Sequence, residues 1–327
     1  MATKTFTYLF WITLVILGLI LFKWYWRLQM MYNSSILSFY TPDSFAVPEN
    51  LREDHDRLIN QGSVIMKSKK AVIAILVRDQ ESKLPEIEKK AERVGNMFND
   101  YRIVVVENDS KDDTRAYLLR WTHRNPRVTV LGCGINADKC SMKFPKTEGH
   151  HVDRPRIEKM THLRNIYLDH VKNHLPSWDY LLIWDLDAVG MVYLDGIAHS
   201  IGYLEENPDV DIACANGIYR WGVLTLFYDT YATLSKGENF HIDMKTPHDI
   251  RKGLWEHQYQ RGEPPEEVDS CFSGFTIYRI PSLLPPEVKY DMSPDDNLEC
   301  EHVRLNKKIQ GKKVINPSMI NFILLND

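Results

Sequence analysis

Continuous apolar runs alternate with segments of helical period through most of the chain. Ala71–Val77 is apolar throughout and predicts a strand buried on both faces. Leu84, Ile87, Ala91, Val94 and Phe98 then recur at spacings of three and four, which predicts a helix. Ile103–Val106 predicts a second strand, running into Glu107-Asn108-Asp109-Ser110. A helix through Tyr117, Leu118 and Trp121 follows, with Ser110 or Asp112 available to cap it, and Val128–Leu131 predicts a third strand. The order strand, helix, strand, helix, strand with short links is that of a doubly wound α/β sheet.

The rhythm breaks at Cys133–Arg154, a polar, glycine-bearing stretch that predicts a long loop. Helical spacing returns from Arg156 to Asn173, with Met160, Leu163, Tyr167 and Val171 on one face. Tyr180–Trp184 then forms a short bulky strand that ends in two carboxylates, Asp185 and Asp187. Ile197, Ile201 and Leu204 predict another helix, and Val210–Ala215 another strand. Residues 218–265 are irregular and rich in aromatics and histidine. Phe272–Tyr278 predicts a strand, Glu299-Cys300-Glu301-His302 opens a last helix, and Lys313–Ile315 and Met319–Leu325 close the chain.

The N-terminus has a different character. Thr5–Phe22 carries no charge and is followed by Lys23 and the cluster Trp24-Tyr25-Trp26, as at a membrane interface. No small-residue cleavage site follows, so the segment predicts an uncleaved anchor over residues 5–26 rather than a signal peptide. Residues 1–4 are then a short tail, 27–70 a stem broken by Pro42 and Pro48, and 71–327 the main folded unit, divided near residue 190. Asn33-Ser34-Ser35 is an acceptor sequon, compatible with a single-pass type II protein of the Golgi or endoplasmic reticulum.

Charge and cysteines narrow the class. The net charge is −4 with both signs interspersed, which lacks the basic stripe of a nucleic-acid binder. Five cysteines leave at least one thiol free in an oxidising compartment; Cys133 and Cys140 bracket a loop and are candidates to pair.

Two carboxylates ending a buried strand are costly unless a cation meets them, and oxygen ligands suit magnesium or manganese. A surface pair closing a turn is the plain alternative. After the second strand, Glu107 and Asp109 are suited to accept from a ribose hydroxyl or base N–H; helix capping accounts for Ser110 and Asp112 but does not need these two. The histidines at 150–151 and 241–257 lack tight ligand spacing and read as surface or acceptor-loop residues. Tyr219, Trp221, Tyr228 and Tyr231 suit either sugar stacking or core packing, and the second is the simpler account.

The succession A-V-I-A-I-L-V-R-D, V-V-V-E-N-D-S-K-D-D-T, R-I-E-K-M-T-H-L-R-N and L-L-I-W-D-L-D resembles the GT-A-type glycosyltransferases. Within that class, R-N-I-Y-L and S-W-D-Y-L-L-I-W-D-L-D are similar to fungal mannosyltransferases of the Golgi and capsule types. The resemblance implies a GT-A-like Rossmann-type doubly wound sheet with an irregular acceptor-side half. It implies a nucleoside-diphosphate sugar as donor, Mn2+ or Mg2+ as cofactor, and a glycan or glycoprotein hydroxyl as acceptor. Asp109 or Glu107 would take the nucleoside. Asp185 and Asp187 would take ribose and metal, and Arg164-Asn165 would contact the donor. Arg78 or Arg164 would assist the phosphates. Glu301 would be the base if the enzyme inverts, and His302 a third metal ligand. Inversion and retention stay open. The competing classes are a metal-dependent nucleotidyltransferase, whose glycine-rich phosphate loop is missing after the first strand, a D-x-D phosphatase, and a membrane-anchored glycan-binding domain without catalysis.

Overall fold

The computed structural model describes residues 10–25, 39–43, 45–132, 153–185, 191–221, 224–239, 257–293 and 298–323. Helix α1 spans residues 10–25 of the described chain and exposes its apolar side chains. The anchor expected over residues 5–26 lies partly outside the described residues. Among the described residues no helix is long and apolar enough to cross a membrane.

The order thereafter is α2 (Glu49–Ile65), β1 (Lys70–Val77), α3 (Leu84–Gly95), β2 (Asp100–Glu107), α4 (Thr114–Arg124), β3 (Val128–Gly132), α5 (Arg154–His174), β4 (Tyr180–Trp184), β5 (Met191–Val192) and α6 (Leu194–Glu206). Then come β6 (Val210–Trp221), β7 (Leu224–Phe227), β8 (Leu234–Ser235), β9 (Glu266–Ser270), β10 (Phe275–Arg279), the one-turn α7 (Ile280–Leu283), α8 (Glu301–Asn306) and β11 (Lys312–Ile323).

One 11-stranded sheet runs β3-β2-β1-β4-β10-β6-β11-β9-β8, with β5 on β11 and β7 on β6. Strands β3, β2, β1 and β4 are mutually parallel, as their βαβ order requires. Beyond β4 the sheet turns mixed. β10 enters antiparallel between β4 and β6, and β11 lies parallel to β6. The expected doubly wound parallel sheet therefore covers only the first half. The two closing strands expected from the sequence are one strand, β11, with a register shift between Asn316 and Ile320.

Alternate residues of β1 explain its unbroken apolarity. Ala71, Ile73, Ile75 and Val77 face a core built with α3, α4 and α6, while Val72 and Ala74 face a second core built with α5 and α8. Helix α4 begins at Thr114 with Asp113, rather than the expected Ser110 or Asp112, in the cap position; Asp112 Oδ1 still accepts from the Thr114 N–H, one of the free donors of the first turn.

Residues 27–70, expected as an irregular stem, contain the 17-residue α2, which packs along α6. Gly62 and Gly202 make the crossing close. A Cβ at Gly62 would strike the Ala198 carbonyl, and one at Gly202 the Leu58 carbonyl. Beside this crossing two histidines are buried, His55 and His199, with ring centroids 5.2 Å apart. His199 Nδ1 accepts from Asn316 Nδ2, so the ring is neutral, and burial next to His55 pushes its pKa down to about 3. No apolar periodicity announced α2, because glycine-mediated contact and buried polar groups replace a hydrophobic stripe.

Two outcomes test this packing. Gly62→Ala gains helix propensity of about 1 kcal/mol, yet the backbone clash outweighs it, so stability should fall by roughly 1–3 kcal/mol in denaturant titration. His199 binds a proton in the unfolded chain below its ordinary 6.5 and in the folded chain only near 3, so its contribution is lost as pH drops. Between pH 7 and 5 the native protein should lose roughly 2 kcal/mol more than His199→Gln; equal losses would contradict a buried neutral ring.

Candidate active site

Strand β4 is fully buried, and its end delivers Asp185 to the edge of the sheet, where the carboxylate is partly exposed. The Asp185 N–H donates to Gly274 O at 3.0 Å, extending the β4–β10 pairing by one rung. Asp187 lies outside the described residues.

Behind Asp185 stands Arg164, on α5 and only 2% exposed. Its Nη1 and Nη2 donate to Asp185 at 3.2–3.4 Å, its Nε donates to Glu301 Oε1 at 3.0 Å, and Nη1 reaches Tyr167 Oη at 3.4 Å. Burial opposes the charge, but Asp185, Tyr167 and Glu301 hold the guanidinium protonated well above its ordinary range. The guanidinium also lies 5.1 Å over the Phe272 ring. Arg164 is therefore fully engaged within the protein, and what it does for a ligand it does through Asp185.

Glu301 opens α8 and is 6% exposed, with Cys300 Sγ 3.7 Å from its second oxygen. Its position at a helix start suits a carboxylate, but its principal partner is Arg164. This geometry suits holding Arg164 better than taking a proton from an acceptor.

His302 is 2% exposed, stacked on Phe272 with centroids 3.7 Å apart and edge-on to Tyr290 at 5.5 Å. Among the described residues neither ring nitrogen has a hydrogen-bond partner. Burial, then the Arg164 charge, drives its pKa well below 6.5, so the imidazole is neutral with a lone pair to offer. Among the described residues no three His, Cys, Asp or Glu side chains converge to hold a metal. The donor set that fits a hard cation is Asp185, with Asp187 as its sequence neighbour.

The residues expected to take a nucleoside lie where β1 and β2 end. Asp79 and Asp109 both adopt left-handed backbone, at φ 51° and 49°. The two loops clasp each other: Asp79 N–H donates to Ser110 Oγ, Lys111 N–H to Asp79 Oδ1, and Glu81 N–H to Asp112 Oδ2. Glu107 is completely buried; one oxygen accepts from Ser110 N–H and the other from Arg115 Nε and Nη2. Its carboxylate holds the loop and does not reach a ligand surface. Asn108 is buried and its Oδ1 has no partner among the described residues, while Asp109 is partly exposed. Arg78 is exposed and paired with Asp79 at 3.4 Å. Lys159 of α5 faces this corner: burial and then Arg78 lower its pKa, while Asp109 and Asp79 oppose them. Asn165 instead spends its amide on Tyr290, donating to the carbonyl at 2.9 Å and accepting from the N–H at 3.0 Å.

The turn before β10 ties these parts together. Cys271 forms a disulfide to Cys214 on β6, and Phe272 carries His302 and Arg164 on its ring. Ser273 N–H donates to Asp229 Oδ2 at 3.1 Å, and Gly274 O accepts from Asp185. Ser273 and Gly274 both have left-handed backbone, at φ 55° and 73°, and Asn321 Nδ2 from β11 secures the Ser273 carbonyl at 2.9 Å. The sequence reading missed Asp229. It sits in the irregular stretch after β7, at φ 74°, and burial and the Asp185 charge push its pKa up to about 7. Neither periodicity nor motif marks it. The disulfide also differs from the Cys133–Cys140 pair considered above, which lies outside the described residues; Cys300 is a buried free thiol.

The buried Arg164 bridge has a measurable worth. Arg164→Gln leaves Glu301 buried without its partner and should cost roughly 3–5 kcal/mol in denaturant titration. Adding Glu301→Gln should recover part of that loss, so the double variant falls short of additivity. Arg164→Lys should not restore the native value, since an ammonium cannot bridge both carboxylates in the same plane.

A comparison with curated proteins returns no match. Among solved structures the chain is similar to TarS 1-349 of S. aureus in complex with UDP-GlcNAc, with 14% identity over 79% of this chain and 59% of that chain and a TM-score of 0.42. It is also similar to the mannosyltransferase PcManGT of Pyrobaculum calidifontis in complex with GDP-Man and Mn2+, with 14% identity over 85% of this chain and 68% of that chain and a TM-score of 0.45. The chain thus spans less than two thirds of the TarS fragment's length. A family profile matches residues 70–304, a span that runs from β1 into α8 and takes in Asp109, Arg164, Asp185, Asp229 and Glu301. The chain belongs to the family described as Cryptococcal mannosyltransferase 1.

Proposed function

We propose that the protein is a metal-dependent glycosyltransferase that moves a hexosyl group, mannose being the first candidate given the family, from a nucleoside diphosphate to a glycan or glycoprotein hydroxyl. The observation that carries this reading is the buried Arg164 fixing the strand-end carboxylate Asp185 at the same sheet edge as the Asp79–Asp109 corner. Ligands of open α/β sheets bind outside the carboxyl ends of the parallel strands, and both features stand there.

In this reading Asp109 and Asn108 accept from the nucleoside, which has hydroxyl and N–H donors to offer. Arg78 and Lys159 supply positive charge beside the phosphates. Asp185, with Asp187, holds Mn2+ or Mg2+, and His302 is the neutral nitrogen nearest to them in role. The bound cation supplies Lewis-acid stabilisation of the charge that develops on the leaving diphosphate. Arg164 keeps Asp185 in one orientation, and Glu301 keeps Arg164 in place. The apolar N-terminal segment serves as a membrane anchor, which puts the catalytic unit in the lumen of the Golgi or endoplasmic reticulum. The disulfide at Cys271 agrees with an oxidising compartment.

The full-length protein incubated with a panel of nucleotide sugars and Mn2+ should release nucleotide from one of them. A chelator should abolish the release, and Asp185→Asn should lower it by roughly two orders of magnitude with the fold retained. No release from any donor, with or without glycan acceptors, would sink the reading.

A further inference from the structure

We propose that the face formed by Tyr40 and the ends of α2 and α3 is seated on an anionic bilayer surface, with Lys67, Lys89 and Arg93 meeting lipid phosphates and Tyr40 and Val64 entering the headgroup layer. The inference rests on the membrane-anchor reading above and is independent of the chemistry at Asp185.

Exposed apolar side chains are the first observation. Outside α1, the large ones among the described residues are Tyr40 at 57%, Val64 at 74% and Leu284 at 36%. Two of these three belong to one region. Tyr40 and Ser63 line a common cleft of about 250 Å3, and Val64 follows Ser63 near the end of α2. Buried Met66 and Leu194 form the base of this cleft, and exposed Lys67 and Arg93 its rim. Exposed apolar groups rimmed by polar residues mark an interaction surface.

Charge is the second observation. Lys89 and Arg93, one turn apart on α3, both lie over the Phe39 ring, at 5.4 and 5.7 Å from its centroid. Among the described residues neither these two nor Lys67 is paired with a carboxylate. The acids of α3 are engaged elsewhere: Glu86 pairs with Lys90, Glu88 accepts from Tyr117 and Arg124, and Glu92 accepts from Trp121 and Asn125. Asp43, the exposed acid of the segment after Tyr40, lies in the field of Arg261. The acids of α2 (Glu49, Glu53, Asp54 and Asp56) occupy its first half, roughly 15 Å or more from Lys67 and beyond a screening length. Helix ends account for Lys67, whose Nζ donates to Asn96 O at 3.4 Å, and for Arg93 in the last turn of α3. They do not account for Lys89, nor for Tyr40 and Val64.

Position is the third. Phe39 O accepts from Leu194 N–H at 2.9 Å, and Thr41 N–H donates to Asp195 at 3.0 Å. Tyr40 is therefore fixed on the folded unit, between two bonds to the start of α6. Residues 26–38 join it to α1 and span at most about 50 Å. With α1 in a bilayer, Phe39 and Tyr40 are the part of the described folded unit tethered nearest to the lipid. Each basic side chain beside an anionic surface favours contact about fivefold, so three together favour it on the order of 100-fold. A tyrosine, apolar in body and polar at its tip, suits the headgroup level.

The test uses the full-length protein in nanodiscs of phosphatidylcholine, with and without phosphatidylserine at about one lipid in three. Lysine acetylation by a water-soluble reagent is followed residue by residue by mass spectrometry. Lys67 and Lys89 should react at least about fivefold more slowly in the phosphatidylserine discs. Lys236, which follows β8 and has a side chain 64% exposed, should keep its rate. High salt should remove the difference, since it screens exposed charge. Arg93→Glu should remove it too, and Val64→Asp should weaken it. Equal rates at Lys67 and Lys89 in the two discs would overturn the surface; that result is also the one expected if an acidic protein were its occupant, since the discs contain none. Slowing that extends equally to Lys236, or protection that survives Arg93→Glu in a variant with wild-type Tm, would overturn it as well. Protein that stays with neither disc would overturn the anchor reading, and the surface with it.

Discussion

A single buried guanidinium organises the candidate site. Arg164 reaches forward to Asp185 and back to Glu301 from the middle of α5, and 137 residues separate it from the latter. An isolated charge at 2% exposure would be prohibitively costly, so each of the three groups depends on the other two. The consequence is geometric. The end of β4, the face of α5 and the start of α8 cannot move independently while the bridge is intact.

The turn 271–274 supplies the complementary constraint from the other half of the sheet. It combines a covalent link to β6, an aromatic ring beneath Arg164 and His302, and backbone hydrogen bonds to Asp229 and Asp185. Where the parallel half of the sheet provides the Asp79–Asp109 corner, the mixed half provides this turn. β10 enters antiparallel, so its first residues, rather than its last, lie beside the end of β4. That direction of travel is what allows a turn before one strand to serve a carboxylate after another.

Much of this was legible from residue order. The unbroken apolarity of β1, the helical spacing of α3 and the carboxylate Asp185 ending β4 follow from burial on both faces and from the cost of stranded acids. What the sequence obscured has physical reasons. Glu107 and Asn165 looked like ligand contacts by position, yet their polar atoms are consumed by Arg115 and by the Tyr290 backbone. Residue type reveals hydrogen-bonding capacity and not which partner takes it. Helix α2 escaped notice because its buried face alternates one leucine, Leu58, with His55 and Gly62, which interrupts an apolar stripe. Asp229 was invisible because left-handed backbone and three-dimensional proximity leave no periodic trace.

The Asn321–Ser273 contact bears on how such a site comes into being. The carbonyl that Asn321 secures lies 48 residues upstream, in the turn that holds Asp229 and Asp185, while β1, β2 and β3 pair over shorter stretches of chain. During synthesis β1, β2 and β3 are complete early, whereas the turn stays unsecured until β11 has emerged and docked beside β6. The arrangement around Asp185 is therefore the product of late, long-range closure. Loss of the last strand would unfasten that turn while leaving the parallel half of the sheet able to form.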